Sequence, residues 1–305
     1  MKWQKLGVIF NVDQRSEWMH SHAYVPTAYQ PDSSRIRVFL AFRDKNQVGR
    51  MGWIDVKADD PTCVLAVSEN PCLDVGRSGA FDDNGVTPLS VVSEGAQLRM
   101  YYAGWQLTPR ARYMLFTGLA LSVDGGNSFV RYQETPVLDR GPQEFLVRSG
   151  AYVMHDSGSG LWKVWYAASS DLIDHAGKET PMYPMAYAES VDGIHWPQSG
   201  RIVLKLEGSE FGFGRPFIRK TRGAYELWYS VRSHTQTYRI GYAKSDDGLQ
   251  WVRRDAEGEL APSEAGWDSD MTGFPSIIEN EHGTFMFYNG NGFGLTGVGV
   301  ARQVS

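Results

Sequence analysis

One short pattern restricts what this chain can fold into. Tyr187-Ala-Glu-Ser-Val-Asp-Gly-Ile-His-Trp196 returns as Tyr242-Ala-Lys-Ser-Asp-Asp-Gly-Leu-Gln-Trp251, and Leu119-Ala-Leu-Ser-Val-Asp-Gly-Gly-Asn-Ser-Phe129 is a third copy. Each copy reads as a strand, an Asp-Gly turn supplying the positive φ of a tight hairpin, and a second strand opening on an aromatic. A lone hairpin cannot bury its faces. Repetition implies units that stack on one another.

An inner strand pair precedes each hairpin. Val25-Pro-Thr-Ala-Tyr29 leads to Ile36-Arg-Val-Phe-Leu40, and Gly85-Val-Thr-Pro-Leu-Ser-Val-Val92 leads to Leu98-Arg-Met-Tyr-Tyr102. The same arrangement joins Gly150–Met154 to Trp162–Tyr166, Arg215–Ile218 to Tyr225–Tyr229, and Phe274–Ile278 to Thr284–Tyr288. Thirty-three glycines, fourteen prolines and 13% aromatics suit many short strands with tight turns. The expected fold is all-β, a single five-bladed β-propeller over residues 1–305. The last unit runs out after Gly297–Ala301, so Lys5–Phe10 is expected to supply its outer strand and close the ring.

Antiparallel order puts the start of each inner strand and the loop after the second strand on one face. The Asp-Gly hairpins fall on the other face and read as turn formers. On the first face lie His20, His22 and Tyr24, then Asp82 and Asp83, Glu144 with Arg148, Glu210 with Arg215, and Asp268 with Asp270. The loops after the second strands add Arg43 and Asp44, Trp105 to Tyr113, Arg232 and His234, and Asn289 to Phe293, with Asn291 among them. Trp105 and Tyr113 either stack on a sugar ring or pack beneath their loop. The polar segment Ser170–Tyr183 is the candidate lid.

The net charge of −5 and the lack of any Lys/Arg run argue against nucleic-acid or membrane-surface partners. Two cysteines, Cys63 and Cys72, are too few for a disulfide framework or a zinc site by themselves. His20 and His22 alternate, yet no carboxylate joins them at ligand spacing, so no metal or other cofactor is expected. With no apolar leader at the N-terminus, the expected location is cytoplasmic.

Several acids around a wet funnel suit glycosyl transfer to water. One carboxylic acid protonates the leaving oxygen while an ionised partner attacks or activates water. Trp18–Ala23, Phe81-Asp-Asp-Asn-Gly-Val86, Glu144–Ser149, Gly266-Trp-Asp-Ser-Asp-Met271 and Tyr288-Asn-Gly-Asn-Gly-Phe-Gly294 resemble the five-bladed propeller glycoside hydrolases of the arabinanase, xylosidase, invertase and levansucrase type. More closely, they resemble a poorly characterised bacterial group of glycosidase-related propellers.

The resemblance implies an Asp general base at the first inner strand, where this chain has His22 and Tyr24. Asp82 or Asp83 would have to replace it, with Glu144 or Glu210 as the acid. His22, Tyr24, Trp105, Arg148, Arg215, Asp268, Asp270, Asn289 and Asn291 are then the expected substrate contacts. Arg148 and Arg215 point to an anionic group on the substrate or are neutralised by Glu144 and Glu210. Three functions stay open: a glycosidase on a glycan or small sugar-containing substrate, a biosynthetic enzyme using acid–base chemistry on a small metabolite, and a non-catalytic sugar or sugar-nucleotide binder.

Overall fold

The computed structural model describes residues 1–304, and its regular structure is strand except for two single-turn helices, Asp255–Gly258 and Asn291–Gly294. Ser21–Tyr29, Arg35–Arg43, Gly49–Lys57 and Val64–Val67 pair in chain order as one antiparallel sheet. Val86–Glu94, Gln97–Gln106, Met114–Ser122 and Val130–Arg131 repeat that order. So do Val147–Asp156, Leu161–Ser169, Met185–Ser190 and Arg201–Leu204, and then Glu210–Lys220, Tyr225–Ser233, Arg239–Ser245 and Val252–Arg253. Gly273–Asn280, Gly283–Asn289 and Val298–Gln303 follow, and Trp3–Phe10 pairs antiparallel along Val298–Gln303.

The second strands explain the composition. Tyr225–Ser233 is buried at all nine positions, because each face of the strand packs on a neighbouring sheet. The core therefore lies in layers between consecutive sheets. Phe39 and Met51 meet Met100 and Tyr102, Trp165 meets Leu227 and Tyr229, and Phe285 and Val300 meet Ile36 and Phe42. No helix among the described residues is long and apolar enough to cross a membrane.

The Asp-Gly hairpins are held by their own chemistry. Asp192 Oδ1 accepts from the backbone N–H of Ile194 and His195, and Asp247 Oδ1 does the same for Leu249 and Gln250. Gly193 (φ 72°) and Gly248 (φ 76°) occupy left-handed conformations. Their carbonyls accept from Tyr101 and Trp165 of the preceding sheets at 2.9 and 2.8 Å, so each turn also docks one sheet on the next. Asp192→Ala is expected to lower stability by about 1–3 kcal/mol in denaturant titration. Loss of ligand affinity in the folded variant, with unchanged stability, would assign the hairpins to function instead.

Candidate functional site

Each first strand carries an extra residue relative to its partner at an equivalent point, with register shifts between Tyr24 and Thr27, Pro88 and Ser90, Ser149 and Tyr152, Gly214 and Phe217, and Gly273 and Ser276. A bulge bends the strand and re-aims a side chain. Val25, Leu89, Gly150, Arg215 and Phe274, one from each bulge, all line a single cavity of about 390 Å³. Val25 and Phe274 have φ of 53° and 56°. Their N–H groups, freed from the ladder, donate at 2.7 Å to Asn289 Oδ1 and Ser230 Oγ of the preceding sheets. Pro26, Pro216 and Pro275 follow three of these residues, where a missing N–H costs no ladder bond.

Arginines and aromatic rings intermingle around the cavity. Arg43, Arg112, Arg215 and Arg232 line it, and no aspartate or glutamate does among the described residues. Trp105, Tyr113, Phe274, Phe293 and Tyr238 supply rings, with Trp105 held by its Nε1–H donating to Thr87 Oγ1 at 2.9 Å. Arg215 is 3% exposed and donates through Nε to Leu89 O and through Nη1 to Pro275 O, both at 2.9 Å. Burial pushes its pKa down to about 9, which leaves it cationic at neutral pH. Arg232 donates through Nη1 to the phenol oxygens of Tyr113 and Tyr183 at 2.7 and 2.5 Å.

Of the expected contacts, Tyr24, Trp105 and Arg215 line this cavity. The expected acids are engaged elsewhere. Asp82 is buried, accepting from Tyr102 Oη at 3.0 Å and Arg131 at 2.8 Å. Glu144 pairs with Arg148 at 2.6 Å and accepts from Tyr166 Oη and Gly200 N at 2.8 Å each. Arg253 grips both oxygens of Glu210, at 2.8 and 2.7 Å. Asp268 pairs with Lys5 at 2.6 Å and accepts from Tyr288 Oη. Tyr102, Tyr166 and Tyr288 hold the same position in their second strands, and Tyr229 there bonds Asp255. In the first sheet Leu40 takes that position.

The remaining expected residues also hold structure. Asp83 accepts from Gly79 N, and Asp270 is an exposed residue whose own N–H is held by Asn291 Oδ1. Asn289 is fully buried with its amide spent on Val25 N, Ala23 O and Gly297 O, and Asn291 braces Gly266 and Met271. Arg148, bound to Glu144 and to the carbonyls of Asp139 and Pro197, is no free anion receptor. None of these acids and amides lines the cavity.

His22 is buried with φ 58° and bonds Ser21 Oγ at 3.0 Å. Burial, helped by Arg43, lowers its pKa to about 4, so it is neutral at pH 7. A base depressed in the folded state contributes stability above its ordinary value of 6.5, and that contribution is lost as the pH falls toward 4. His22→Asn, which tolerates positive φ and does not titrate, is expected to flatten the denaturation midpoint across that window. An unchanged slope would place the titration elsewhere.

Of the other lining residues, the sequence places Arg43, Arg112 and Arg232 only in loops and offers Tyr113 as a ring that stacks on a sugar or packs beneath its loop, while Tyr238 is not among its candidates. Register held the missing signal. Arg43, Trp105 and Arg232 each stand three residues after Leu40, Tyr102 and Tyr229, at the cavity end of the second strand. Ser170–Tyr183 contains the isolated hairpin of Asp171–His175 and Lys178–Met182, whose His175 ring lies 4.6 Å from Phe211.

No protein-family model matches the chain. It is 31% identical over 302 residues to the uncharacterized protein Rv1502 of Mycobacterium tuberculosis, covering 99% of each. Among solved structures it is similar to one titled glycoside hydrolase, with TM-score 0.76 and 16% identity over 99% of this chain and 92% of that one. It is also similar to a thermostable family-43 glycoside hydrolase, with TM-score 0.68 and 17% identity over 92% and 88% of the two chains. A putative glycosidase from Bacteroides thetaiotaomicron gives TM-score 0.70 and 16% identity over 98% and 96%. At these identities the likeness is one of fold, the propeller fold of glycoside hydrolases.

Proposed function

The chain belongs to the same family as the Mycobacterium tuberculosis protein Rv1502, and we propose that it is a five-bladed, single-domain propeller of glycosidase type whose central funnel takes a small, sugar-like, anionic ligand. Closure of the ring by Trp3–Phe10 is part of this reading and is supported by the pairing of that strand with Val298–Gln303. One observation carries the ligand class. Four arginines, of which Arg215 and Arg232 are buried, line a cavity of about 390 Å³ that has no carboxylate among its described lining residues.

Elsewhere in the chain buried arginines are paired with acids, Arg37 with Asp55 and Arg148 with Glu144. An uncompensated buried charge is costly, so a cationic cavity favours a ligand that brings the counter-charge. The cavity volume suits a monosaccharide-sized ligand, and the rings of Trp105 and Phe274 offer apolar faces for a sugar. Two facing carboxylates, the usual requirement of glycoside hydrolysis, are not part of the proposal, because Asp82, Glu144 and Glu210 are bound to Arg131, Arg148 and Arg253.

Calorimetric titration with glucose, glucuronate and glucose 6-phosphate tests the reading. The anionic sugars are expected to bind at least about tenfold more tightly than glucose, with the margin narrowing as salt is raised. Equal affinity for glucose at low salt would overturn it.

A further inference from the structure

Resting on that reading, we infer that Arg232, caged by Tyr113 and Tyr183, receives the ligand's negative charge, and that the ligand is a monosaccharide bearing a carboxylate or phosphate on its ring or on the first exocyclic carbon. Arg232 is the penultimate residue of the strand Tyr225–Ser233 and is buried, with its register fixed opposite Gly212. Its guanidinium lies 4.6 Å from the centre of the Phe211 ring and 5.6 Å from those of Tyr183 and Tyr238. Aromatic walls hold a cation in place and leave its net charge unchanged.

Both side-chain hydrogen bonds of Arg232 leave from Nη1, so the edge formed by Nε and Nη2 is uncommitted among the described residues. The two phenols accept from Nη1 through their oxygens, and because those oxygens lie 3.5 Å apart one O–H is spent on the other phenol, which leaves one to donate. Burial raises the pKa of Tyr113, so its phenol stays protonated at neutral pH. A guanidinium edge beside a hydroxyl donor matches the acceptors of a carboxylate or phosphate. Arg215 is less suited, because its Nε and Nη1 already tie Leu89 and Pro275 together.

The distance from charge to ring follows from Tyr113. Its ring centre lies 5.4 Å from that of Trp105, whose indole is anchored on Thr87, so the cation stands one tyrosine away from a surface on which a pyranose can stack. A ligand whose charge trailed on a long chain could not use both. Sugar acids and sugar phosphates can.

Calorimetry on the full chain with glucose, glucuronate, glucose 6-phosphate and inorganic phosphate, repeated on Arg232→Met, Arg232→Lys and Tyr113→Phe/Tyr183→Phe, decides the matter. Arg232→Met is expected to weaken both anionic sugars about 10–100-fold and to leave glucose unchanged, with partial recovery in Arg232→Lys. The double phenylalanine variant keeps the cation, removes only the hydroxyls, and is expected to lose about tenfold, which keeps the test decisive if Arg232→Met does not fold. Full preference for anions in Arg232→Met, or in the double variant where that protein alone folds, overturns this assignment while leaving the anionic funnel standing. Equal binding of glucose and glucuronate by the unaltered protein overturns both. Inorganic phosphate binding as tightly as glucose 6-phosphate overturns the sugar part.

Discussion

Glu144→Ala is expected to destabilise the protein by about 3–5 kcal/mol and to leave ligand affinity of the folded molecule intact. The carboxylate and the Arg148 guanidinium are 5% and 3% exposed, so removing the acid strands a buried cation. Tyr166 Oη and Gly200 N lose their acceptor in the same step. Domains of ordinary stability have about 5–15 kcal/mol in total, so the loss is a large share. Glu144→Gln retains an acceptor but not the charge and should fall between. Urea titration beside calorimetry checks the claim. Unchanged stability with lost binding or turnover would return Glu144 to the chemistry that its position in the sequence suggested.

Deleting residues 1–10 is expected to abolish cooperative folding or to lower the melting temperature sharply, with aggregation. The deletion unpairs Val298–Gln303 and leaves an open strand edge. It also takes Phe10 from Phe42, Trp3 from Trp228, and Lys5 from the buried carboxylate of Asp268. Burial alone would raise the pKa of Asp268, yet Lys5, Ser263 and Tyr288 together hold it below the ordinary carboxylate value. Stability from that depression is present above the ordinary value of 3.8 and is lost as the pH falls below it. Lys5→Met should therefore weaken the protein most clearly at neutral pH and converge on the parent in acid. A truncated chain with the parental melting curve would remove the first strand from any closing role.

Strands and turns were legible because their causes are local. Ser190-Val-Asp-Gly193 contains its own acceptor, its own positive-φ residue and its own small hydroxyl, and it needs no distant partner to turn. The aromatic second strands announced burial on both faces, as Tyr225–Ser233 displays. The acids at the starts of the inner strands were visible in the same way, but their purpose was not. Asp82, Glu144 and Asp268 each meet a tyrosine from their own second strand, and these three and Glu210 each meet a cation from further along or at the far end of the chain, such as Arg131 for Asp82 and Lys5 for Asp268.

The cavity lining was legible only in part, at Tyr24, Trp105 and Arg215, for a related reason. A bulge of one residue decides whether Arg215 or its neighbour turns to the axis, and pattern alone does not register where the slip occurs. By itself the sequence determined the repeat, the all-strand composition and the turns, since these follow from backbone preferences within a few residues. Tertiary structure alone decided which charges neutralise one another within the sheets and which, like Arg232, face the cavity without an acid, because that depends on distances between side chains that the chain brings together only when folded.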